Sequence, residues 1–301
     1  MSKLRIIIIG CVDFSYKLSK EIIKNKKIEV VGICTKKKSI FNSDFCSLSS
    51  LAKKNNIPYQ YCENINEEKN IKWIKKKIPE FILCIGWPNL LSEKLLKIPN
   101  FFSIGYHPTD LPKNRGRNPL IWSIVLGLKK SASCFFVMNK NADDGESISK
   151  KYFKILEHET ATSLYKKITN IAIFQINELL KVMNEIKNKN LIIKKNKNRD
   201  KGNILRKRSY KDGIIDWRMD ANSIFKLVNA LTHPYPGASF YYKQNEYKLI
   251  KAKLIKSNLK VEPGKIIKKI NKVPIIKCGN NSLKLLKTIP AIKCKLNDYF
   301  L

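Results

Sequence analysis

Short apolar runs alternate with amphipathic stretches through the first hundred residues of the chain. Lys3–Ile9, built on Ile6-Ile7-Ile8-Ile9, reads as a buried strand, and Ile28–Cys34, Ile57–Tyr61 and Glu80–Ile85 repeat the pattern. Between them, Tyr16–Asn25, Ser47–Asn55 and Asn70–Lys77 carry helical spacing. Short buried strands alternating with helices predict an α/β fold with a doubly wound, mostly parallel sheet. The turn after the first strand, Gly10–Ser15, has a single glycine and no G-x-G-x-x-G. The layout is therefore Rossmann-like without a dinucleotide fingerprint.

The alternation continues to residue 187. Phe101–Tyr106 predicts a strand that delivers His107 at its end, and Pro119–Leu126 a helix with Pro119 in its first turn. Ser133–Met138 and Ser147–Phe153 predict strands, and Thr160–Asn184 a long helix with Leu164, Ile168, Ile171 and Phe174 on one face. Residues 188–203, rich in lysine and asparagine, read as a linker. Beyond it a helix over Ala221–Leu231 precedes short β-like segments separated by Gly, Asn and Pro, which predict a smaller C-terminal β-barrel, OB-like in kind, over 204–301. Ligands of open α/β sheets bind outside strand C-termini, and His107, Gly86-Trp87 and Asp143 fall at strand ends.

Composition narrows the picture only in part. Of 301 residues, 44% are hydrophobic, and no apolar run has the length of a spanning helix, so membrane insertion is not expected. Isoleucines 6–9 are too few for a signal core. The eight cysteines show no C-x-x-C and no histidine cluster, so reduced thiols in a cytoplasmic protein without a metal site are expected. Fifty-nine basic against 24 acidic residues give +35. Such a charge suits a polyanion binder, yet lysines spread evenly with Ile and Asn also suit a solvated surface. Either way the charge does not choose between anionic partners.

Candidate chemistry centres on Ile104-Gly105-Tyr106-His107-Pro108-Thr109-Asp110-Leu111-Pro112-Lys113-Asn114-Arg115-Gly116-Arg117 and on the acidic turn Asn141-Ala142-Asp143-Asp144-Gly145. A histidine titrates near neutrality, and an adjacent carboxylate favours its charged form. Such a pair suits proton transfer and stabilisation of a developing oxyanion. Asp143 and Asp144 are adjacent candidates for this role, one of which could instead shape the turn, and Arg115 and Arg117 are candidates for anion recognition. His158 and His233 are read as structural.

Taken together these loops resemble the folate-dependent formyltransferases, whose motif runs Asn-x-His-x-Ser-x-Leu-Pro, then Arg-Gly, then an Asp-x-Gly turn. His107, Leu111, Pro112, Arg115, Gly116, Asp143 and Gly145 match in order. Thr109 stands for the serine, and Gly105 stands where the family has a catalytic asparagine. Loss of one oxyanion donor costs a factor of roughly 100–1,000 in rate, and Asn114, Asn118 or a backbone N–H is the expected substitute. The resemblance implies 10-formyltetrahydrofolate as formyl donor, bound by Ile85, Gly86, Trp87, Leu90, Leu91, Asn141, Ala142 and Asp143. It implies His107, Asp143 and Asn114 as catalytic residues, and Thr109, Lys113, Arg115, Gly116 and Arg117 as substrate-binding ones. Ser209–Asp216-Trp217 and His233-Pro234-Tyr235-Pro236-Gly237-Ala238 resemble the family's C-terminal domain.

Two acceptors compete. Methionyl-tRNA enzymes of the family carry a basic, arginine-containing insertion after an early strand, whereas Lys36–Asp44 is only partly basic and lacks arginine. An amino-sugar nucleotide of surface polysaccharide biosynthesis is therefore the expected acceptor, with tRNA as the alternative partner. A third reading, kept open by Gly105, is a non-catalytic relative that binds folate or a polyanion. Small barrel domains serve both as tRNA platforms and as dimer contacts, so a homodimer is also among the expected forms.

Overall fold

Ile6, Ile7, Ile8 and Ile9 are all fully buried, so strand β1 (Leu4–Ile9) has no polar face. A strand of this kind is stable only inside a sheet covered on both sides, and β1 pairs in parallel with β2 (Ile28–Thr35) and β4 (Phe81–Cys84). The computed structural model describes residues 2–39, 43–189 and 202–300. Helix α1 (Asp13–Lys24) follows β1. Helix α2 (Ser49–Lys54), strand β3 (Tyr59–Tyr61) and helix α3 (Glu68–Lys76) lead to β4. Helix α4 (Glu93–Leu96) leads to β5 (Phe102–His107), which pairs in parallel with β4.

The sheet is parallel only to that point. After the short strand β6 (Arg115–Gly116) and helix α5 (Pro119–Val125), strand β7 (Lys130–Val137) runs antiparallel to β5. Strand β8 (Ser147–Lys154) closes the order β3-β2-β1-β4-β5-β7-β8. This sheet is the mostly parallel Rossmann-like layer expected from the sequence, with a reversal at β7 that periodicity does not reveal.

Helix α6 (Ala161–Lys189) corrects the expected face. Leu164, Ile168, Ala172, Ile176, Leu179, Leu180 and Met183 are buried, at the spacing of one helical stripe. Phe174 lies off that stripe and is 62% exposed, with the Lys151 ammonium 5.7 Å from its ring. Gln175 holds the buried side in its place: its Nε2 donates to the Ser133 carbonyl at 3.2 Å and to Ser149 Oγ at 3.0 Å. Strand β9 (Ile204–Leu205) pairs in parallel with β6.

The chain forms two compact units, Met1–Pro119 with Lys130–Phe153 and Lys166–Leu205, and Leu120–Lys129 with Lys154–Tyr165 and Arg206–Leu301. In the second, helix α7 (Ala221–Ala230) begins at Asp220, whose carboxylate accepts from the Ser223 amide at 3.2 Å. Strands β10 (Ala238–Tyr242), β11 (Asn245–Ile255), β12 (Ile266–Ile270), β13 (Val273–Lys277) and β14 (Ser282–Ile289) form an antiparallel sheet in the order β10-β11-β14-β13-β12. Trp217, Phe240 and Phe300 make its aromatic core. Across β11 and β14, Lys251 faces Lys287 and Lys253 faces Lys284. Most of the expected linker, 190–201, and residues 40–42 of the partly basic stretch after β2 lie outside the described residues.

Gln175 is fully buried. Truncation to alanine removes its donors from a closed interior, so Gln175→Ala is expected to lower stability by about 1–3 kcal/mol. A urea titration reads the effect, and an unchanged midpoint would show that the amide does not hold α6.

Candidate functional site

His107 is the last residue of β5 and is 5% exposed. Strand pairing fixes its backbone, since His107 lies opposite Cys134 of β7. The ring is fixed by two oxygens. Nε2 donates to the Asn114 carbonyl at 2.9 Å, and Nδ1 lies 3.5 Å from Asp143 Oδ2. A carbonyl oxygen only accepts, so the Asn114 contact assigns a proton to Nε2.

Asp143 reaches this position by an indirect route. Because β7 is antiparallel, its end at Val137 lies beside Ile104 rather than His107. The turn that follows carries Asp143 to the histidine, with Asp143 itself in the left-handed region at φ 50°. Gly145 permits the turn to close on the strand: a Cβ there would lie 1.4 Å from the Val137 carbonyl oxygen. Asp143 Oδ2 also accepts from the Gly116 amide at 3.0 Å. The two adjacent acids thus part company. Asp143 faces His107, whereas Asp144 pairs with the Arg115 guanidinium and accepts from Asn141 Nδ2 at 3.2 Å.

The loop from Pro108 to Arg117 is bonded throughout. Thr109 Oγ1 donates to the Lys113 carbonyl at 3.0 Å. The Lys150 ammonium, which sequence reasoning passed over, lies 2.9 Å from Asp110 Oδ1 and 2.5 Å from the Leu111 carbonyl. Arg117 Nη1 donates to the Pro88 carbonyl at 2.5 Å, joining this loop to the one after β4.

The expected substrate contacts divide accordingly. Thr109 is fully buried, and its hydroxyl is given to the loop by its bond to the Lys113 carbonyl. Arg115 is 9% exposed and its charge is met by Asp144, which makes it an anchor of the acidic turn. Gly116 is held by Asp143, and Lys113 and Arg117 remain at the surface. Asn114 enters through its backbone carbonyl, while its side-chain oxygen accepts from Asn203 Nδ2 at 3.0 Å.

The expected cofactor loop follows β4. Ile85 is bonded internally at both backbone groups: its N–H donates to Ile9 at 2.8 Å and its carbonyl accepts from Ser15 Oγ at 2.5 Å. Gly86 has φ +66°, and a Cβ there would lie 2.3 Å from Val12 Cγ2. Trp87 packs beside the core cluster of Cys84 and Leu91, with Lys36 Nζ 5.6 Å from its ring. Its Nε1 is buried without a hydrogen-bond partner. An orphaned indole donor in such a loop is what a polar ring ligand would satisfy. Leu90 is exposed and Leu91 buried, while Asn141 and Ala142 sit in the acidic turn. Burial pushes the Cys84 thiol up to about 12, with the Cys11 and Asp143 charges adding to the effect. It behaves as a small apolar residue and not as a nucleophile.

Gly105 is closed by its neighbours. A Cβ at this position would lie 2.7 Å from Phe136 Cζ, 2.9 Å from Phe136 Cε1 and 3.1 Å from Met138 Cγ. The volume that an asparagine would need is filled by an aromatic ring that is itself buried.

Fold and site together define a group-transfer enzyme family. The chain belongs to the formyltransferases: the family model described as formyl transferase matches residues 3–176, and that of the formyl transferase C-terminal domain matches residues 207–299. It is 36% identical over 242 residues to the bifunctional polymyxin resistance protein ArnA of Wigglesworthia glossinidia brevipalpis. That match covers 80% of this chain and 36% of ArnA, so the chain spans about a third of that relative. It is 29% identical over 246 residues to the methionyl-tRNA formyltransferase of Caldanaerobacter subterraneus subsp. tengcongensis, covering 81% of this chain and 77% of that one. In fold it resembles WlaRD, a sugar 3N-formyl transferase crystallised with dTDP and 5-N-formyl-THF. The TM-score is 0.65 at 18% identity, over 95% of this chain and all of that chain (100%).

Overfilling a packed interior costs about 1–3 kcal/mol, so Gly105→Asn alone is expected to destabilise the protein by that amount. Combined with Phe136→Val the penalty should shrink by at least about 1 kcal/mol, the coupling expected of residues in contact. A double-mutant cycle by chemical denaturation measures it, and strict additivity would show that Phe136 does not close the position.

Proposed function

We propose that the protein transfers a formyl group from 10-formyltetrahydrofolate to the primary amine of a nucleotide-linked amino sugar, in the cytoplasm and in the service of surface polysaccharide. The observation that carries formyl transfer is the His107–Asp143 pair, 3.5 Å apart on a formyltransferase chain. The sugar acceptor is supported by the likeness to WlaRD, a sugar 3N-formyl transferase. The methionyl-tRNA relatives keep initiator tRNA as the second reading.

The orphaned Trp87 N–H fits a pteridine ring, and Gly86, Trp87, Leu90 and Leu91 with Asn141, Ala142 and Asp143 would hold it. Once bound, the folate supplies the formyl carbon. As the amine bonds to the formyl carbon and the bond from that carbon to the folate nitrogen breaks, the Asp143 carboxylate is the group able to take a proton from the amine and return it to the leaving nitrogen. The His107 Nε2–H is engaged by the Asn114 carbonyl, so the ring meets negative charge developing on the formyl oxygen from its Nδ1 edge, the edge beside Asp143, and donates there only when it carries both protons. Burial of both side chains strengthens those interactions relative to water. Lys113 and Arg117 are exposed cations of this loop within reach of a phosphate group, Arg117 already tied to the Pro88 carbonyl through one guanidinium nitrogen. In this reading the donor lost at Gly105 is not replaced by a side chain at that position, and turnover is slow for the family.

His107→Ala and Asp143→Ala are each expected to reduce formyl transfer by at least about 100-fold while leaving the protein folded. Release of tetrahydrofolate from 10-formyltetrahydrofolate is followed with a panel of amino-sugar nucleotides and with Met-tRNA. Turnover with Met-tRNA alone would replace the sugar reading. Near-normal activity of either variant would remove the assigned roles, and silence with every acceptor alongside folate binding would favour the non-catalytic relative.

A further inference from the structure

The loop that touches both His107 and Asp143 is itself held from outside by a segment remote in sequence. Asn114 takes a left-handed conformation, φ 58°, and presents its carbonyl to His107 Nε2. On the other side of Arg115, the Gly116 amide donates to Asp143. A movement of residues 114–116 would therefore disturb both members of the pair at once.

Residues 202–205 hold this loop by a continuous set of bonds. The Asn114 amide donates to Asn203 Oδ1 at 2.8 Å, and Asn203 Nδ2 returns a bond to Asn114 Oδ1 at 3.0 Å. The Arg115 amide donates to the Asn203 carbonyl at 3.1 Å and the Arg117 amide to the Leu205 carbonyl at 3.0 Å. The approach is close on two glycines. A Cβ on Gly202 would fall 2.0 Å from the Pro112 carbonyl oxygen, and one on Gly116 would fall 2.4 Å from that of Leu205. Gly202, with φ +60°, and Gly116, with φ +98°, also occupy conformations that a side chain would strain.

Asn203 has a particular place in this set. A β pairing fixes only the backbone of a loop, and a left-handed residue at its start costs conformational energy. The side chain of Asn203 grips residue 114 by its amide and by its own side chain, at the residue whose carbonyl orients the histidine. We infer that Asn203 is a positioning residue for formyl transfer, and that the segment 202–205 is a strap that sets the geometry of His107 and Asp143. The inference rests on the formyl-transfer reading above. Asn203 acts through Asn114 and touches neither reacting group.

The test compares Asn203→Ala, Asn203→Asp and His107→Ala with the unmodified full chain, using the acceptor found active in the panel. Displacement of a catalytic group by about an ångström costs on the order of 100-fold in rate. Asn203→Ala is expected to lower kcat by about 10- to 100-fold with KM for the acceptor changed by less than about threefold. Asn203→Asp keeps the acceptor for the Asn114 amide and is expected to recover most of the loss. Hydrogen exchange supplies a readout independent of turnover: the amides of Asn114, Arg115 and Arg117 should exchange faster in Asn203→Ala and return toward normal in Asn203→Asp. If His107→Ala is inactive while Asn203→Ala keeps its kcat, the strap is overturned and the chemistry stands. If exchange is unchanged in Asn203→Ala, the strap is likewise overturned. If the unmodified protein fails with every acceptor, or His107→Ala is fully active, the functional reading fails and the positioning role falls with it.

Discussion

One carbonyl oxygen, that of Asn114, is the contact on which the site depends. It accepts a hydrogen bond from the His107 Nε2–H, and so fixes both the tautomer and the angle of the ring that faces Asp143. Neither β5 nor the acidic turn could do this alone. The strand sets where the histidine leaves the sheet, and the turn brings a carboxylate back across an antiparallel neighbour. The loop of residues 114–116 bonds to both. In this arrangement rigid elements deliver the side chains and an irregular segment sets their mutual geometry.

The packing around the site explains its economy of charge. In a chain of net charge +35, the acids available near His107 are few and each has its own partner. Asp143 meets His107 and the Gly116 amide, Asp144 meets Arg115, and Asp110 meets Lys150. Had Arg115 taken Asp143 instead, the histidine would face a carboxylate already neutralised. The Asp144–Arg115 pair thus preserves the polarity of the neighbouring pair, and adjacent acids in one turn are divided between structure and chemistry. The motif match favoured Asp143 for the histidine, whereas the capture of Asp144 by Arg115 depends on which side of the turn each carboxylate leaves.

Much of the fold was legible in the chain. Runs such as Ile6–Ile9 and Phe81–Cys84 have no polar face, and the segments between them carry a helical period, so strands and helices could be placed nearly to their ends. Local pattern fails where a decision is made at a distance. Nothing in Lys130–Val137 states that it will run against β5, and Phe174 looks like core until the stripe through Ala172 and Ile176 is seen. The site divides in the same way. His107 and Asp143 stood out as residue types at strand ends, whereas Thr109 and Arg115 were assigned to ligand from motif position and are engaged by the loop itself. Asn203 and Lys150 gave no signal, since a two-residue strand has no period and a lysine in this chain has little contrast. The closure of Gly105 by Phe136 lay beyond the sequence because it is a matter of volume between neighbouring strands.

The lysines that face one another across β11 and β14, Lys253 with Lys284 in regular register and Lys251 with Lys287 at a register shift, have a further consequence. Like charges on directly opposed positions work against the ladder that carries them. Dissolved ions screen that repulsion over roughly 8–10 Å at ordinary ionic strength. Electrolyte therefore lessens a cost that the facing lysines impose on this sheet, and so belongs among the conditions that set its stability.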